Sequence, residues 1–72
     1  MNTTLRFLLT QSAGVKIRIY NAAREEIHRA DLEGAAGRNA YDWSTADVAN
    51  GVYFCKITAG GEDVVLKILV LR

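Results

Sequence analysis

The chain has 72 residues, half of them apolar, with nine basic and eight acidic side chains and a formal charge of +1. That length confines residues 1–72 to one domain, burying only about 60% of the surface its unfolded form exposes. One Cys and one His exclude an intrachain disulfide and a His-rich metal cluster, and the interspersed charges offer no basic tract for nucleic acid.

In chain order, the first run is "TLRFLL". Leu5, Phe7 and Leu9 alternate with Thr4, Arg6 and Leu8. "SAG" at 12–14 then marks a turn. "VKIRIY" alternates more cleanly, with Val15, Ile17 and Ile19 on one face and Lys16, Arg18 and Tyr20 on the other. Period two with β-branched residues predicts half-buried strands. "NAAREEIHRADLEGAA" is ambiguous. Ala22, Ala23, Ile27, Ala30 and Leu32 form a weak helical stripe, and the composition favours helix. Turn residues bracket the segment, and short strands at regular spacing suggest an all-β sandwich. A strand is the preferred reading.

"EGAAGRN" at 33–39 precedes "AYDW", which sets Tyr41 and Trp43 on one face. "STADVANG" at 44–51 is longer. Ser44 could cap one helical turn there, with Asp47 three residues on, and Gly51 lets the chain turn sharply into the next strand. "YFCKI" places Tyr53, Cys55 and Ile57 on one face. Gly60-Gly61 predicts a tight hairpin. "VVLKILVL" closes the chain, with Val64, Leu66, Ile68 and Val70 opposite Val65, Lys67, Leu69 and Leu71. Lys67 marks the wet face. The whole pattern predicts a small immunoglobulin-like or fibronectin-III-like β-sandwich of six to seven antiparallel strands.

"VYFC" imitates the antibody-domain phrase in which a Tyr sits two residues before a Cys. Without a second Cys, Cys55 reads as a core hydrophobe. Tyr53 follows the corner "DVANG" and opens a strand. It suits a tyrosine corner, in which the hydroxyl returns to the backbone of the preceding turn. Trp43 lies one strand before Cys55, closer than in antibody domains, so the architecture is shared and the family is not.

Three stretches carry a family resemblance: "VKIRIYNAAREEI", "AAGRNAYDWSTADVANGVYFCKITAGG" and "VVLKILVLR". With "TTLRFLL" before them, they resemble the small C-terminal immunoglobulin-like modules of bacterial secreted proteins. These include the flagellar hook-capping-protein domain and the sorting domains read by the type IX secretion system. The likeness covers residues 3–72 and is most specific at Ala49-Asn50-Gly51-Val52-Tyr53-Phe54 and from Lys67 to Arg72. Three features depart from it. The Asn-Pro segment that usually precedes the first strand is missing, as in a fragment of a longer secreted protein. The usual Asp-x-x-Gly turn reads Asn21-Ala22-Ala23-Arg24. Trp-Asp-Gly is replaced by Trp43-Ser44-Thr45. The structural signature residues are Trp43, Gly51, Tyr53, Cys55 and Lys67.

The resemblance implies a non-catalytic module of an exported or cell-surface bacterial protein, serving sorting or attachment. Its implied partners are other domains of the parent chain, secretion machinery or neighbouring copies. No catalytic, metal or cofactor site is expected. His28 reads as a solvated strand or loop residue. Glu25, Glu26, Asp31 and Glu33 lack the ligand spacing of a calcium loop and read as a solvated edge balanced by Arg24 and Arg29. Two other functions compete. One is assembly through exposed strand edges, most of all the apolar last strand. The other is a carbohydrate module, which needs Tyr20 and a second aromatic on one exposed face. No apolar run approaches the about 20 residues of a membrane-spanning helix.

Overall fold

The structure is a computed structural model that describes residues 2–71. Among these residues the order is β1 (Asn2–Leu9), β2 (Ala13–Tyr20), β3 (Glu26–Gly34), β4 (Gly37–Ser44), β5 (Gly51–Ala59) and β6 (Glu62–Val70), with no helix. Two antiparallel sheets form an immunoglobulin-like sandwich. One is β3-β2-β5-β6 and the other is the pair β1-β4. β2, β5 and β6 take the places of the C, F and G strands of such folds.

Alternation decides the core. Val15, Ile17 and Ile19 of β2, Tyr53, Cys55 and Ile57 of β5, and Ile68 and Val70 of β6 meet Leu5 of β1 and Trp43 of β4. A slip of one residue in any strand would turn its apolar set outward. Two strands cannot roof four. Val64, on the inner face of β6 by alternation, is consequently still 52% exposed, and Leu66 is half-buried.

The ambiguous segment resolves as a hairpin, for a local reason. The Arg24 N–H donates to the Asn21 carbonyl at 2.9 Å, and the Asn21 N–H donates to the Glu25 carbonyl at 3.0 Å. The Asn21 side-chain oxygen accepts the Glu25 N–H at 3.0 Å. The ladder then shifts between Ile19 and Tyr20, so β3 enters with a bulge. Arg24 has φ 66°, a left-handed conformation that costs an L residue about 1 kcal/mol or more. Glycine adopts it without that cost. Arg24→Gly is therefore expected to stabilise the fold by about 1 kcal/mol, read as a rise in the urea midpoint.

The β5–β6 hairpin closes through Gly60 and Gly61, with φ 58° and 82°, between the paired residues Ala59 and Glu62. This is the two-residue primed turn that only residues tolerant of positive φ allow. The crossing from β3 to β4 is held by Asn39. Its side chain accepts from the Ala35 N–H at 3.1 Å and donates to the Ala35 carbonyl at 2.8 Å. The segment after β4 is not the helical turn that Ser44 suggested. Ser44 is the last residue of β4, and the turn begins at Thr45, whose carbonyl accepts the Val48 N–H at 3.2 Å. Thr45 is buried, which anchors the loop one residue later than a Ser44 cap would.

Candidate functional site

Of the five residues expected as a signature, Trp43, Gly51 and Tyr53 lie at one end of the sandwich, whereas Cys55 sits in mid-strand and Lys67 on the outer face. β5 opens at Gly51, and two residues later Tyr53 turns inward. Its hydroxyl donates to the Ala49 carbonyl at 2.6 Å. Its ring meets Trp43 edge-on, with centroids 5.6 Å apart at 72°. One side chain thus ties the 45–50 loop to β5 and closes the contact between the two sheets. Edge-to-face aromatic packing of this kind adds to what burial contributes.

Cys55 lies opposite Ile19 on one side and Leu66 on the other, and it is fully buried. Burial pushes its thiol up to about 11. A thiol held neutral is neither a nucleophile nor a metal ligand at physiological pH. Native protein at pH 8 should therefore resist alkylation at Cys55 until denaturant is added, as mass spectrometry would show. Cys55→Val should change stability by less than about 1.5 kcal/mol, because volume and polarity are nearly kept. An unfolded thiol titrates near about 8.5. The neutral buried thiol's contribution is thus complete below that pH and is lost as pH rises through about 11.

His28 is not the solvated residue its sequence context suggested. It is half-buried, its Nε2 lies 2.6 Å from the Tyr41 hydroxyl, and its ring centroid is 6.4 Å from that of Trp43. The pairing joins β3 to β4 across the sandwich. No local signal could have shown it, because it depends on how the two sheets are stacked. Glu26 and Asp31, two of the three acidic residues of β3, are paired with arginines. Arg18 reaches Asp31 at 3.2 Å and Glu26 at 3.6 Å, and Arg29 Nε donates to Glu26 at 2.9 Å. Among the described residues no group of three or more His, Cys, Asp or Glu side chains could hold a metal ion.

The outer face of the four-stranded sheet is built differently. Tyr20 stands opposite Phe54, and Phe54 opposite Lys67. Lys67 is exposed and Tyr20 is half-buried. Tyr20, Phe54, Arg24 and Lys56 line an open depression of about 500 Å³. At the far end of β5, Asp63 accepts from the Thr58 hydroxyl at 2.7 Å and lies 3.6 Å from Lys56. The Thr58 hydrogen bond is the main reason its carboxyl titrates below the usual range, with Lys56 adding to it. Val65, Leu69 and Leu71 remain largely exposed.

No helix among the described residues is long and apolar enough to cross a membrane. No curated protein and no solved structure matches the chain. The family described as the secretion system C-terminal sorting domain matches residues 1–71. Domains of this kind mark proteins for export to the extracellular space or cell surface by the type IX secretion machinery, and they are not known to be catalytic. The corner tyrosine, the buried aromatic core and the family match lead to one conclusion: the chain belongs to the secretion system C-terminal sorting domains.

Proposed function

We propose that residues 1–72 form a single module at the C-terminal end of a longer bacterial protein and act only as its export address. The family match over residues 1–71 carries this reading. Three features support it. The interior is filled by apolar side chains, Cys55 is buried with a raised pKa, and the β3 carboxylates Glu26 and Asp31 are held by arginines. The module then has no enzymatic activity of its own, and chemistry belongs to other domains of the parent. Trp43, Gly51, Tyr53 and Cys55 set the shape that is presented. Lys67 stands on the presented face.

The test is deletion of these residues from the gene that encodes them, in a bacterium with the type IX machinery. The truncated parent is expected to accumulate between the two membranes while the intact protein reaches the surface or medium. Equal export of the two forms would overturn the reading.

A further inference from the structure

We propose that β6 is a self-complementary edge through which two copies of this chain pair, joining their four-stranded sheets into one eight-stranded sheet. The two edges of the larger sheet are unlike. β3 is bulged where it leaves β2, and its charges Glu26, Arg29 and Asp31 are engaged within the chain. Bulges and charge are how proteins blunt an edge against pairing. β6 has no bulge, and its acidic residues Glu62 and Asp63 sit together at one end of the strand. Its ladder with β5 runs from Gly51↔Val70 to Ala59↔Glu62 with constant register. It contains no proline, and Lys67 is the only charge between residues 64 and 71. Val64, Val65 and Leu69 are 52%, 62% and 60% exposed.

Charge selects the partner and the register. Asp63 and Lys67 stand four apart on β6, so their side chains project from the same face, with Val65 between them. In an antiparallel pairing of β6 with itself, each residue must meet one of like parity to keep both the hydrogen-bond ladder and the face. A dyad through Val65 sets Asp63 opposite the second copy's Lys67, and Lys67 opposite its Asp63. Val65 then meets its own copy, and Val64 meets Leu66. A dyad through Leu66 pairs Lys67 with Val65 instead. One through Lys67 opposes two ammonium groups. The Val65 register alone satisfies both charges, and it packs Val64, Val65 and Leu66 against the second copy.

Asp63 is available for this, because its side chain stays 49% exposed despite its contact with Lys56. The other open strands lack the combination. β1 carries Leu8 but a single charge, Arg6. β4 carries Arg38 and Asp42 at the same spacing, with no large apolar residue exposed among its described residues. Cross-strand pairs of opposite charge stabilise sheets, and like charges directly opposite destabilise them.

The test is the mass of the 72-residue chain in solution, by sedimentation or light scattering across a wide concentration range. The expected result is a monomer–dimer equilibrium. Asp63→Lys alone and Lys67→Asp alone should each raise its midpoint concentration about tenfold, because like charges then face each other across the dyad. The double variant Asp63→Lys/Lys67→Asp should return it toward the original value. Thermal melts confirm that each variant is folded. Val65→Lys, which opposes two lysines on the dyad, should be monomeric. A chain that stays monomeric throughout would overturn the proposal. So would a dimer indifferent to the charge changes, or one that the double exchange fails to restore.

Discussion

Trp43→Ala lowers the stability of the fold by about 3–5 kcal/mol, the range for truncating a buried Trp in a packed core. Trp43 is 3% exposed and stands on β4, one of only two strands that roof the larger sheet. Its removal opens a cavity beneath that roof. It also takes away the edge-on contact with Tyr53 and the neighbour of the His28 ring. A chain of this length has a total stability of roughly 4–11 kcal/mol at the usual per-residue value. The loss is therefore a large share of what is available, and the urea midpoint should fall steeply. Urea denaturation followed by circular dichroism reads the effect. Trp43→Phe should lose much less. A midpoint unchanged in Trp43→Ala would mean that the β1-β4 layer is held by other contacts.

Tyr53→Phe comes second, with an expected loss of about 1–3 kcal/mol. The substitution keeps the ring and removes only the hydroxyl that donates to the Ala49 carbonyl. That carbonyl lies at the corner between the two sheets, where the backbone makes few ladder hydrogen bonds. The 45–50 loop should become more mobile, with faster amide exchange from Thr45 to Asn50 as a second readout. If stability and exchange are both unchanged, the corner is held by the packing of Val48 and Thr45 instead.

The fold was legible wherever a strand has one wet and one dry face. β2 and β5 alternate so strictly that their core residues follow from sequence, and Gly60-Gly61 identified its hairpin. The helix-like stripe at residues 21–36 left strand only the preferred reading, because alanines satisfy almost any periodicity. Its outcome turned on Asn21 binding its own turn and on Arg24 accepting a left-handed conformation, neither visible in hydrophobic pattern. Ser44 offered a plausible cap, but Thr45 is the residue that becomes buried. The exposure of Val64 needed the sheet order, because alternation cannot say how much of a face the opposite layer covers. His28 shows the same limit, since its partners Tyr41 and Trp43 lie on the other sheet. The outer surface of the four-stranded sheet was the least legible part. Its residues on β2, β5 and β6 come together only through strand register, and the family's own short motifs mostly describe the scaffold.

The central claim is that this small sandwich is itself an export address. The most direct measurement is the location of a fluorescent reporter with an N-terminal export signal and residues 1–72 fused to its C-terminus, in a bacterium carrying the type IX machinery. The account predicts that the fusion reaches the cell surface or medium, whereas the reporter without the domain stays between the two membranes. Retention of both forms in that compartment, with the fused domain shown to be folded, would contradict it.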